Sequence, residues 1–193
     1  MAVLDVSRLR DGPLAAWEMS VGADTPRDMA QHRITLEGGT ITGRGRSLNP
    51  FAILEDATGF IAFAEQVFDA VEVAEARTPT PAGLLIHAEL RVGDSLLLLA
   101  DPQEGWGTHP GMFQLWVSDV DAVVARAVER DAALVTPPTP FYGSLTLARV
   151  RDPWGNLWWL YQPTPGQPDP KPAWQGGPDT AFRTLDEHLR STR

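Results

Sequence analysis

RVRDPWGNLWWLYQ, residues 149–162, reads as two short strands joined by a tight turn. Pro153 fixes φ where a turn needs it, and Gly155 supplies a position that favours positive φ. The strand that follows, Leu157–Tyr161, is almost wholly aromatic and apolar. Such a strand is buried on both faces, against a core on one side and against a further layer or a ligand on the other.

Working outward, the pattern before this hairpin occurs twice. Phe51–Leu54 is an apolar run. Asp56 is placed to cap a helix over Ala57–Phe68, where Phe60, Ile61, Ala64, Val67 and Phe68 share one face. Strand-like runs follow at Val71–Ala76, Leu84–Arg91 and Ser95–Ala100, with Gly93-Asp94 as a turn. The second round opens with Phe113–Val117. Ser118 and Asp121 form a capping-box-like start, and Val120, Val123, Val124, Ala127 and Val128 make the apolar stripe of a second helix. Strands are then expected at Leu134–Thr136, Leu145–Arg151 and Leu157–Tyr161. The fold class is α+β: two β-α-β-β-β modules forming a curved, cup-shaped mixed sheet with helices on the outside.

This order divides the chain into an N-terminal extension, 1–47, a central domain, 48–163 (modules 48–101 and 111–163), and a tail, 164–193. In the extension, Arg33–Glu37, Gly38-Gly39 and Thr40–Arg44 suggest a hairpin. Gly38, Gly39, Gly43 and Gly45 suit turns better than a phosphate loop, since they join no strand to a helix. In the tail a Pro- and Gly-rich linker leads to a helix capped by Asp179, in which Phe182, Leu185 and Leu189 share a face; so short a helix is expected to dock.

Composition narrows the function. The net charge of −9 excludes a nucleic-acid partner, which needs a basic face. No window approaches the roughly 18 apolar residues of a membrane span. The start, MAVLDVSRLRDGPLAAWEM, lacks the basic-then-apolar layout of a signal peptide. Without cysteine there is no disulfide, thiolate metal site or cysteine nucleophile, which fits a cytoplasmic location.

Two β-α-β-β-β modules closing on a DPxG hairpin resemble the glyoxalase / bleomycin-resistance / dioxygenase (vicinal oxygen chelate) superfamily. ILEDATGFIAFAEQVF, HAELRVGDSLLLLAD and WVSDVDAVVARA strengthen the likeness, which spans residues 49–162. HAELRVGDS and the FYG of 141–143 resemble a metal-poor, glyoxalase-like bacterial branch. The resemblance implies a ligand cup, a homodimer whose pockets borrow residues from the partner, and four metal-ligand positions. Those positions fall on Asn49, Leu98, Met112 and Trp159. Leu and Trp cannot ligate a hard divalent ion and Met is a poor choice, so no metal and no cofactor is expected.

By strand alternation the cup should carry Asn49, Phe51, Ile53, Leu96, Leu98, Met112, Gln114, Trp116, Leu157, Trp159 and Tyr161. Tyr142 and Trp106 lie in loops at its rim. Asn49, Phe51, Leu98, Met112, Gln114, Trp116, Tyr142, Trp159 and Tyr161 are the candidate ligand contacts, suited to a planar or cationic compound. The plainer alternative is that Trp116 and Trp159 simply fill the cup as core. His87 and Glu89 share one strand face and are the candidate acid and base; the plainer alternative is a surface pair bonding Arg149 or Arg151. His32 and His109 read as solvated loop residues. The first functional expectation is metal-free sequestration of a small molecule. The alternative is a metal-independent isomerase, lyase or cyclase of secondary metabolism; a metal-dependent glyoxalase or dioxygenase stands last, and an inert cup flanked by protein-binding termini is the remaining reading.

Overall fold

The computed structural model describes residues 48–191. The expected N-terminal hairpin and His32 lie outside them. The order of elements is β1 Phe51–Ile53, α1 Ala57–Phe68, β2 Val71–Glu72, β3 Thr78–Pro79, β4 Leu85–Val92, β5 Ser95–Ala100, β6 Met112–Trp116, α2 Val120–Val128, β7 Ala133–Phe141, β8 Leu145–Arg151, β9 Leu157–Pro163 and α3 Thr180–Ser191. Single 3-10 turns at Ala74–Ala76 and Ala173–Gln175 complete it. The run expected as one strand over 71–76 is therefore a two-residue strand followed by a 3-10 turn.

The architecture is α+β, and each module forms a mixed sheet of its own. The first is ordered β1-β5-β4-β2, with β3 also on β4; the second is ordered β6-β9-β8-β7. In both, the module's first strand lies parallel to its last. β7 is longer than expected because it runs through Pro137, Pro138 and Pro140. It does so as an edge strand with two register shifts against β8, where the missing N–H groups cost no ladder bonds.

One apolar core joins the modules. Phe60, Ala64 and Val67 of α1 and Val120, Val124 and Ala127 of α2 bury themselves with Leu97, Leu99, Trp158 and Leu160. The Phe68 and Trp158 ring centroids are 4.3 Å apart, and Phe60 meets Trp154 edge-on at 5.4 Å. Arg126 of α2 donates through Nε and Nη2 to the Val67 carbonyl, a late carbonyl of α1, at 3.1 and 2.8 Å.

Each module closes on its own helix in a similar way. Asp101, just after β5, accepts from the Ala57 N–H at the start of α1 at 2.8 Å, and from Leu85 N–H. Gln162, near the end of β9, accepts from the Val120 N–H at the start of α2 at 2.8 Å. The side-chain N-caps are Asp56, accepting from Gly59 N–H, and Asp119, accepting from Ala122 N–H. The capping-box reading placed that role on Ser118, one residue too early.

The 149–162 hairpin is fastened from inside. Asp152, only 1% exposed, accepts from Trp154 N–H, Asn156 N–H, Asn156 Nδ2 and Trp158 Nε1, at 2.8–3.0 Å. Burial pushes its carboxyl up from the usual range, against the pull of these four bonds. Gly155 holds φ at +90°, and a Cβ there would sit 3.4 Å from Pro110.

Candidate functional site

Each sheet has one face on the shared core and one turned away from it. On the far face of the first sheet, register places Phe51, Leu98 and Glu89 in one row across β1, β5 and β4. On the far face of the second it places Gln114, Trp159, Arg149 and Thr136 in one row across β6, β9, β8 and β7.

The candidate contacts are thus divided between two sheets. On the first, Phe51 is half exposed, its ring centroid 6.4 Å from that of His87. Leu98 and Glu89 are partly buried beside it, and Asn49 precedes β1, also partly buried. His87 Nε2 lies 3.4 Å from Glu89 Oε1. Glu89 Oε2 is buried without a hydrogen-bond partner. The expected partnership of this pair with Arg149 or Arg151 is not formed, because β4 and β8 belong to different sheets. His109 is exposed, and its N–H bonds the Ile53 carbonyl.

On the second sheet the structure brings Trp116, Trp159 and Tyr161 together. The Trp116–Tyr161 centroid distance is 5.4 Å and the Trp159–Tyr161 distance 6.4 Å. Phe141 adjoins Tyr161 at 6.1 Å, and Tyr142, in the β7–β8 turn, packs edge-on against Phe141. Met112, Gln114 and Trp116 of β6 are exposed, Trp116 by 63%. The β6 side of this face is open.

The β8 side is covered by α3, whose apolar row Phe182, Leu185 and Leu189 is only partly turned inward. Ala181 is buried with Leu147 and Tyr161, while Phe182 and Leu189 stay 47% and 41% exposed. Polar groups dictate this choice. Arg149 Nη1 donates to Thr136 Oγ1 at 3.0 Å and to the Ala181 carbonyl. Thr184 donates to the Thr180 carbonyl, so the 2.7 Å contact between Thr136 and Thr184 has Thr136 as donor.

Arg149 is the residue that sequence reasoning missed. It is 1% exposed, and its guanidinium lies 3.7 Å from the Trp159 ring centroid, on the surface expected to receive a cationic ligand. Its Nε is buried and unpartnered. No described carboxylate forms an ion pair with it. Burial lowers its pKa to about 10, with the neighbouring Tyr161 acting the other way, which still leaves it charged at neutral pH. Burial also pushes the Tyr161 phenol up. The available signal was alternation: Arg149 shares a strand face with Leu147 and pairs with Trp159.

A smaller cleft of about 260 Å³ lies at the junction of the modules, lined by Asp69, Trp116, Asp119 and Arg126 among others. Asp119 is engaged as a helix cap, and Arg126 bridges the helices.

A protein-family model described as Glyoxalase/Bleomycin resistance protein/Dioxygenase superfamily matches residues 47–160. The chain belongs to that superfamily. It is 36% identical over 128 residues to an uncharacterized protein of Mycobacterium tuberculosis, covering 61% of this chain and 74% of that one. A Mycobacterium bovis relative, also uncharacterized, gives the same identity with 83% of its length covered. Among solved structures, TioX from Micromonospora sp. ML1 superposes with TM-score 0.51 at 22% identity, covering 62% of this chain and 99% of TioX. A Pseudomonas aeruginosa protein gives TM-score 0.51 at 18% identity, covering 61% and 97%. At these identities the superpositions speak for the fold alone.

Many members of this superfamily hold a divalent metal, and the residues here do not fit one. Leu98 and Trp159 offer no donor atoms, and the Arg149 guanidinium against Trp159 would repel a cation. Among the described residues no three His, Asp or Glu side chains gather as a metal site.

Proposed function

We infer that this chain is a small-molecule-binding protein that uses the superfamily fold without a catalytic metal, and that its ligand lies flat on the far face of the second sheet. The supporting observation is the half-open aromatic surface of Trp116, Tyr161 and Trp159, with Gln114 as a polar handle. Aromatic walls with a few polar groups suit a planar compound held by stacking and burial. A cationic compound is disfavoured, since Arg149 already lies against Trp159. The chain is expected to act as a homodimer: Phe51, Met112 and Trp116 are too exposed for an isolated soluble surface and lie at β1 and β6, the outer strands of the two sheets.

Tryptophan fluorescence titrated with planar aromatic compounds tests this. Quenching that saturates, and that Trp159→Ala abolishes, is the expected result. Titrations unchanged by Trp159→Ala would remove the site. Stoichiometric divalent metal surviving dialysis would overturn the metal-free reading.

One observation favours a second reading, a metal-independent enzyme. The His87–Glu89 pair, with its unpartnered buried carboxylate oxygen, has the composition of an acid–base couple. Turnover of any bound compound that is lost in His87→Ala would establish it.

A further inference from the structure

The second sheet buries a cation that has no counter-ion among the described residues. The chain has 25 acidic residues against 16 basic ones, yet no described carboxylate pairs with Arg149. Taking a charge out of water is expensive unless it is paired and hydrogen-bonded, and a fold that needed only a packed core would place an apolar residue here. Both hydrogen bonds of the guanidinium leave from Nη1. The other edge, formed by Nε and Nη2, is the edge on which a carboxylate accepts two parallel bonds, and Nε there is buried and unpartnered.

α3 lies over this part of the sheet, and its Ala181 carbonyl accepts from Arg149 Nη1. Ala181 is its one fully buried residue, and the bonds from Arg149 and Thr136 are two of its ties to the sheet. A 12-residue helix is marginal on its own, so α3 exists by virtue of this docking. The Ala181 carbonyl occupies Nη1 and leaves the Nε of Arg149 without an acceptor.

We propose that the far face of the second sheet binds a planar aromatic carboxylate, with Arg149 taking the carboxylate, Trp159 and Tyr161 taking the ring, and α3 serving as a cover that the ligand displaces. This rests on the small-molecule reading given above and narrows it to one charge class. The anion supplies the missing counter-charge. The ring extends over the open surface toward Gln114 and Trp116. Displacement gives up the bond to the neutral Ala181 carbonyl and gains two parallel charge-assisted bonds at the Nε–Nη2 edge, which are the stronger ones.

The test is calorimetric titration of the full chain with three probes of one shape: naphthoate, naphthamide and naphthylmethylammonium. Hydrogen exchange across α3 is followed with and without each. Naphthoate is expected to bind about tenfold or more tightly than the neutral amide, since charge-assisted bonds are roughly twice as strong as neutral ones. The ammonium probe is expected to bind most weakly. Arg149→Met, which removes the cation, should bring naphthoate down to the level of the amide. Thr184→Val, which keeps shape but loosens α3, should tighten naphthoate roughly threefold, because less of the chain is held in the covered state. Exchange in α3 should speed up when naphthoate is bound. Equal binding of naphthoate and naphthamide would overturn the carboxylate assignment and leave small-molecule binding standing. Binding of none of the three would overturn both. Tight naphthoate binding with α3 exchange unchanged or slowed would overturn the displacement of α3.

Discussion

Asp152 and Arg149 are both buried charges near the same hairpin, and they behave in opposite ways. Asp152 has four N–H donors converging on it. Asp152→Ala strands those donors and should cost about 3–5 kcal/mol in urea unfolding. Burial raises its folded-state pKa above the unfolded value, so between the two the native state binds more protons. Its contribution therefore favours the native state at low pH and declines as pH rises through the raised pKa. Measured from pH 4 to 7, wild-type stability should fall relative to Asp152→Asn, which has no such titration. Arg149 is different because no described carboxylate pairs with it. Arg149→Met should change the stability of the two-sheet domain by less than about 1 kcal/mol, since an apolar residue of similar size avoids the desolvation that the cation bears, while α3, losing its bond at the Ala181 carbonyl, should exchange faster. A loss of several kcal/mol would mean that the residue is structural. At this scale the sequence was half legible. Leu98 and Trp159 could be placed from turn and helix register, but Arg149 could not be told from a surface arginine, because its burial comes from a helix more than thirty residues further on.

Elements whose stability is local were read well. α1 spans the expected Ala57–Phe68, and β5 and β8 match Ser95–Ala100 and Leu145–Arg151. Caps were read less well, since neighbouring polar residues compete for one role. Asp119→Ala should lower stability by about 1 kcal/mol and Ser118→Ala by almost nothing, a contrast that thermal unfolding can resolve. On α3 the apolar row Phe182, Leu185 and Leu189 is only partly used in docking, because hydrogen bonds to Thr136 and Arg149 turn Ala181 and Thr184 inward. α3 also carries a pH response. Burial, then the charge of Arg151, lowers the pKa of His188. The undocked helix therefore binds the proton more readily, and docking strengthens as pH rises through that window and weakens as pH falls below about 6.5. Exchange in α3, corrected for its intrinsic pH dependence, should accelerate between pH 7 and 5, and His188→Gln should remove the effect.

For the whole molecule, the two modules repeat one topology with different ends. The first leaves its far face to Phe51, Leu98 and the His87–Glu89 pair; the second receives α3. Trp116, 63% exposed at the outer strand of the second sheet, is the residue on which association should depend. Trp116→Glu is expected to shift a dimer toward monomer in sedimentation equilibrium, with the fold retained in circular dichroism. If the chain sediments as a monomer before the substitution, the exposed apolar residues belong to the ligand surface alone.

The sequence by itself determined the repeated β-α-β-β-β order, the helix stripes and the closing turn, because each follows from spacing within a few residues. Tertiary structure alone decided that the candidate contacts divide between two sheets, that α3 covers part of one of them, and that Arg149 lies buried on Trp159. These depend on contacts between distant segments, where hydrogen bonding of a buried cation outweighed the apolar pattern of the helix that covers it.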